Sequence, residues 1–119
     1  MKVAITSQGQ DLDAPVDPRF GRAAYILILD MDDDTIEVLD NSENVNAFKG
    51  AGIQAAATVA DKGADVLLTG YCGPKAFQML QAAGVKVAND AKGTVQEALA
   101  DFKSGKLVYA DGANADAHW

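Results

Sequence analysis

Both arginines of this chain fall in one short segment, Pro18-Arg19-Phe20-Gly21-Arg22. A guanidinium group is planar and always charged, and it presents a rigid fork of N–H donors, so two of them side by side suit the recognition of an anion. Two lysines stand where they can join them. Lys49 precedes Gly50-Ala51-Gly52, and Lys75 follows Gly70-Tyr71-Cys72-Gly73-Pro74. Each glycine cluster leads into a segment that reads as helix, and a helix N-terminus offers unpaired N–H groups and partial positive charge. The candidate anion site therefore takes its charge from Arg19, Arg22, Lys49 and Lys75. Backbone donors come from around Gly50, Gly52, Gly70 and Gly73, and Gly21, between the arginines, belongs to the same site. Phe20 and Tyr71 are the side chains expected to keep water out.

Each element also has a plainer reading. Arg19 and Arg22 can pair with Asp13 or Asp17 and simply tie down a long loop. Gly50 and Gly52 can serve a close-packed helix start, and Gly70 and Gly73 a tight turn. Cys72 is either a small packed residue or, at a helix N-terminus, an accessible thiol of lowered pKa. No nucleophile–base pair is evident, because the one histidine, His118, stands next to the last residue. With one cysteine and one histidine, neither a disulfide nor a conventional zinc site can be built within the chain.

The elements that must position these residues follow from hydrophobic periodicity. Lys2 to Thr6 reads as a strand. Tyr25 to Met31 is an apolar run and Thr35 to Leu39 alternates, so the two make an antiparallel hairpin across the acidic turn Asp32-Asp33-Asp34. A helix over 50–62 places Ile53, Ala56, Ala57 and Ala60 on one face, and Gly63 stops it. Asp65 to Thr69 is a buried strand. Pro74 opens a second helix with Phe77, Leu80 and Ala83 inward. Val85 to Ala88 is a short strand, and Leu107 to Ala110 a short extended edge. Thr94 and Glu97 form a capping box ahead of a third helix with Val95, Ala98, Leu99 and Phe102 inward.

This order predicts an α/β fold: a single domain with a mixed, mostly parallel sheet of about five strands flanked by three helices, of ribonuclease-H-like or doubly wound type. In such sheets ligands bind beyond the C-terminal ends of the parallel strands. The arginine segment, the loop 41–52, the loop 70–75 and the loop 89–93 all fall at that edge. The domain is expected to span 1–110, with 111–119 a flexible C-terminal tail.

The chain has 119 residues, 49% of them hydrophobic, and a net charge of −7. That charge argues against nucleic acid as a partner, since no basic stripe exists to displace counterions. No apolar run approaches the roughly 20 residues of a membrane span. The start of the chain lacks a signal-peptide pattern, so the expectation is a cytoplasmic protein with no membrane partner.

Four segments, in order, carry a family resemblance: Phe20-Gly21-Arg22-Ala23, Gly50-Ala51-Gly52-Ile53-Gln54-Ala55-Ala56, Gly70 with Gly73-Pro74-Lys75-Ala76-Phe77, and Gly93-Thr94-Val95-Gln96-Glu97-Ala98. Over residues 1–108 the chain resembles the dinitrogenase iron–molybdenum cofactor-binding family, which includes NifX-like carriers and the C-terminal region of NifB-like proteins. The resemblance implies a ribonuclease-H-like fold and the binding or carriage of a metal–sulfur cluster. It implies, within part of the family, a mixed molybdenum–copper sulfide cluster held without covalent attachment. The site loops contain no histidine, which disfavours an iron–molybdenum type cluster, the alternative, and favours a preassembled sulfide-rich anion. Cys72 is the candidate copper ligand, since thiolates suit Cu(I).

The leading expectation is therefore a non-enzymatic binder of a molybdenum–sulfur cluster, with copper, that deals with a cytoplasmic ATPase or a cluster-donor protein. A regulatory protein-interaction module with a vestigial pocket is the second reading. A small enzyme acting on a phosphorylated metabolite is the third.

Overall fold

The computed structural model describes residues 1–42 and 50–113. Its elements are β1 (Lys2–Ser7), β2 (Tyr25–Asp30), β3 (Thr35–Asp40), α1 (Ala51–Asp61), β4 (Val66–Leu68), α2 (Pro74–Ala82), β5 (Lys86–Ala88) and α3 (Val95–Lys103). The strands form one sheet in the order β3-β2-β1-β4-β5. β1, β4 and β5 are parallel, while β2 runs antiparallel to β1 and β3 antiparallel to β2. This is the mixed α/β architecture expected, with α1, α2 and α3 among the described residues.

Successive residues of a strand face opposite sides of a sheet. Ala4, Ile26, Ile28, Leu67 and Val87 accordingly join Ala55, Ala56 and Val59 of α1 and Phe77 and Leu80 of α2 on one face. Val3, Ile5, Leu27, Leu29, Val66 and Leu68 meet Val95, Ala98 and Leu99 of α3 on the other. Helices thus cover both faces. Because β1 and β2 are apolar on both sides, alternation alone cannot set their register. The tight turn from Asp30 to Thr35 sets the register of β2 against β3, pairing those two residues directly, and β1 pairs with β2 from Lys2 opposite Asp30 to Ser7 opposite Tyr25. In that turn Asp34 adopts φ 59, and Asp32 pairs with the N-terminal amine at 2.8 Å.

Two inward faces differ from expectation. α1 buries Ala51, Ala55, Ala56 and Val59, while Ile53 is 39% exposed. A helix with alanines on nearly every side has no strong phase of its own, and Val59 is the bulky residue that settles it. Ala83 is exposed because α2 ends at Ala82 and Ala83 is its C-cap. The capping box is as expected: Thr94 and Glu97 make both of its bonds. Residue 109 of the 107–110 segment bridges antiparallel to Ala88, at the outer strand β5. Of the tail, residues 111–113 are exposed, while 114–119, His118 included, lie outside the described residues. No described helix is long and apolar enough to cross a membrane.

Candidate functional site

The site begins at Asp17, which the sequence offered only as one of two acids that could hold the arginines. Its backbone is pinned to β1: Asp17 N–H donates to the Thr6 carbonyl at 3.0 Å, and the Thr6 hydroxyl donates to the Asp17 carbonyl at 2.7 Å. Thr6 Oγ1 also lies 2.9 Å from Thr69 Oγ1, linking the ends of the neighbouring strands β1 and β4. The Asp17 carboxylate, 3% exposed as a residue, accepts the backbone N–H of Arg19 at 3.1 Å and of Ala24 at 3.2 Å. Arg19 Nε stands 3.7 Å from the same carboxylate. The arginine loop is therefore a turn wound around a buried anion. The plainer reading is realised for Arg19, through Asp17, yet the Arg19 side chain remains 46% exposed at the rim.

Three loops then close on one another. Tyr71 N–H donates to the Pro18 carbonyl at 2.6 Å, and Phe20 N–H donates to the Tyr71 carbonyl at 3.1 Å, so Arg19 and Tyr71 pair as a short parallel bridge. A methyl group on Gly70 would stand 2.7 Å from Pro18 Cα. One on Gly21 would stand 2.6 Å from the backbone nitrogen of Gly52 and 2.9 Å from the carbonyl carbon of Ala51. The arginine loop thus rests directly on the first turn of α1. Gly52 faces α2 in turn, its absent methyl 3.2 Å from Ala76 Cβ. The buried Asn41 side chain, just past β3, locks the arrangement by donating to the carbonyls of Gly21 at 3.2 Å and Ala23 at 2.8 Å.

The two helix starts at this edge differ from the third. The N-caps of α1 and α2, Gly50 and Gly73, provide no side-chain cap, whereas α3 is capped on both sides of its box. Gly50 sits at φ 79, a left-handed conformation that glycine enters without penalty. Neither N-cap glycine has a side chain to satisfy the first-turn N–H groups of its helix, and such groups are suited to an anionic ligand. Exposed Lys75 lies in the first turn of α2. Lys49 lies outside the described residues.

Two expected roles are corrected. Phe20 does not wall the pocket: it is 2% exposed and belongs to the core with Ile26, Cys72 and Phe77, beneath the loop it anchors. Cys72 is not an accessible thiolate. It is fully buried, its Sγ lies 3.7 Å from the Gly73 carbonyl, and burial pushes its pKa from 9.0 up to about 12. In the empty protein this thiol is a core group away from the surface. The desolvation of the Cys72 site outweighs the helix N-terminus beside it. Among the described residues no group of three or more His, Cys, Asp or Glu could hold a bare metal ion.

Sequence reasoning missed one part of the site. Beyond Tyr71 lies a cavity of about 470 Å³ lined by Pro18, Gly70, Tyr71, Asp90, Ala91 and Lys92. Topology places the loop 89–93 at this edge, but nothing in the sequence singles out Lys92. Asp90 has φ 66, and the buried Oδ1 of Asn89 has no hydrogen-bond partner among the described residues.

Comparison with known proteins places this geometry. The family described as dinitrogenase iron–molybdenum cofactor matches residues 1–105. The chain belongs to that family. The structure of the apo form of the orange protein from Desulfovibrio gigas is 49% identical, with 96% of each chain covered and a TM-score of 0.92. An NMR structure of a proposed NifB protein from Thermotoga is 40% identical over 91% of each chain, with a TM-score of 0.80. An uncharacterized protein of Methanocaldococcus jannaschii is 26% identical over 110 residues, covering 90% of this chain and 89% of its own. Membership of the dinitrogenase cofactor family points to the binding or carrying of a cofactor or cluster. The donor set agrees: cations, backbone N–H groups and glycines fit an anion whose metals already carry their own sulfide ligands, and do not fit a naked metal ion.

Proposed function

We propose that this protein binds and carries an anionic molybdenum–sulfur cluster, a mixed molybdenum–copper sulfide, held without covalent attachment. The observation that carries the reading is the meeting of the arginine loop with the first turn of α1, Gly21 against Gly52, next to a second helix start whose N-cap, Gly73, has no side chain to cap it. Arg19 and Arg22 donate to sulfide or oxo edges, and Lys75 adds charge from the start of α2. The N–H groups following Gly50 and Gly73 complete the cradle. Tyr71, 40% exposed, supplies the aromatic wall that Phe20 does not. Cys72 stays protonated beneath the floor, so the cluster's own sulfides, and not a protein thiolate, complete the coordination of its metals. A donor protein hands the cluster over, and a noncovalent cradle lets it leave again.

The test is anaerobic mixing of the empty protein with tetrathiomolybdate and a copper salt, followed by desalting, a visible spectrum and metal analysis. The expected result is coloured protein that retains molybdenum and copper in a fixed ratio. At about 1.5–3 kcal/mol per charge-assisted hydrogen bond, Arg19→Ala with Arg22→Ala weakens retention roughly 100-fold or more. Colourless wild-type protein free of both metals, or full retention by the double variant, overturns the reading.

A further inference from the structure

The cavity beyond Tyr71 extends past anything the arginine loop and the two helix starts need. One side is Pro18, Gly70 and Tyr71, which belong to the backbone knot that holds Arg19; the other is Asp90, Ala91 and Lys92. The arginine loop and the cavity thus share a wall. At about 470 Å³ the space falls within the roughly 300–1,000 Å³ of small-molecule sites.

We infer that the anion site has a second half here: Lys92 is a further binding residue, and Asp90 is a fixed opposing charge that weakens the hold. This rests on the proposed cluster-binding function. Lys92 and Asp90 are both exposed and stand two positions apart. Their loop is tied to the Gly70 turn, Asp90 N–H donating to the Gly70 carbonyl at 3.1 Å and Ala91 N–H to the Thr69 carbonyl at 3.0 Å. Asp90 is held in the left-handed region, φ 66, so both charges are presented at set places on the rim. The Asn89 amide with its unmatched Oδ1 adjoins them. In the first half Arg19 faces the buried Asp17 carboxylate at 3.7 Å, and in the second Lys92 and Asp90 stand two positions apart on one exposed loop. In each half a cation that can hold an anion is set beside an acid that opposes it. A carrier that bound through unopposed cations would hold its cargo too tightly to transfer.

Four proteins are titrated anaerobically with tetrathiomolybdate and copper(I) at low salt, following the visible band: wild type, Lys92→Gln, Asp90→Asn and Lys103→Gln. Lys92→Gln weakens binding about two- to fivefold, the range of exposed charge interactions. Asp90→Asn strengthens it by about two- to threefold on the same scale; asparagine also tolerates a left-handed backbone, so the loop keeps its shape. Lys103→Gln, in the last turn of α3, makes the same change in net charge as Lys92→Gln and leaves binding unaltered. Opposite signs at 90 and 92 are a signature that loop collapse does not produce, since collapse weakens both. Wild-type affinity in both variants, with binding still lost in the arginine double variant, overturns the second half and leaves the proposed function standing. Weaker binding by Asp90→Asn overturns the opposing charge. No binding by the wild type overturns the proposed function and this inference with it.

Discussion

Gly21→Ala is the sharpest single perturbation of this site. The added methyl would lie 2.6 Å from Gly52 N, 2.7 Å from Gly52 Cα and 2.9 Å from the Ala51 carbonyl carbon. All three are backbone atoms of the first turn of α1, so no side chain can swing aside. To reach ordinary contact the arginine loop must retreat by most of an ångström. That retreat pulls on the Asn41–Gly21 bond at 3.2 Å and the Phe20–Tyr71 bond at 3.1 Å. Overpacking of this kind costs about 1–3 kcal/mol, and a weakened hydrogen bond adds about 1 kcal/mol. For a domain of this size the total of about 2–4 kcal/mol lowers the melting temperature by roughly 8–15 °C. Calorimetry of Gly21→Ala beside Gly112→Ala, whose added methyl meets nothing within 4 Å, measures it. The control melts like wild type. Anion retention by Gly21→Ala, assayed well below its melting point, falls because the loop that carries the arginines is displaced from the helix start. If Gly21→Ala melts within about 2 °C of wild type and retains the anion, the two segments are not in contact and the site is wrongly assembled.

Burial of Cys72 sets a pH dependence. Its thiol stays protonated in the folded chain up to about 12, while the unfolded chain ionises from 9.0, so stability is whole below 9.0 and falls as pH climbs toward 12. The slope approaches about 1.4 kcal/mol per pH unit, and it is isolated as the difference between wild type and Cys72→Ala, which lacks it, measured by urea unfolding from pH 8 to 11. Asn41→Ala leaves two carbonyls without their donor and costs about 2–3 kcal/mol, read as a lowered urea midpoint. Thr94→Ala removes one bond of the capping box and costs about 1 kcal/mol, with amide exchange speeding up at the start of α3; anion retention is unchanged, since that helix start is already satisfied.

Much of the fold was legible because its signals are local. The run from Tyr25 to Met31, the stop at Gly63 and the Thr94–Glu97 box each specify structure within a few residues. The convergence of the loops was legible from topology, since a sheet of this order sends them to one edge. What could not be read depends on distant partners. The phase of α1 is invisible in a run of alanines and is decided by Val59 against the sheet. Nothing around Cys72 in sequence announces that its sulfur is buried beneath Phe20 and Phe77. Phe20 reads equally well as a pocket wall or as an anchor, and only the packing of Ile26 and Phe77 around it decides. Asp17 and Asp13 are equivalent on paper; the bonds from Thr6 select Asp17. Lys92 is one exposed lysine among several until the Gly70 turn draws its loop to the rim.

The bond between Thr6 and Thr69 spans 63 positions of sequence. Closing a loop of that length costs entropy before any contact across it repays the loss, so β1 and β4 join late in folding. The hairpin of β2 and β3 closes early on its own turn, yet the arginine loop that precedes it finds Tyr71 only once β4 is in register beside β1. Neither half of the chain alone contains a cradle. A ligand at this edge therefore cannot template the folding of a growing chain. It meets a finished protein, and its arrival reports that the two halves have been correctly joined.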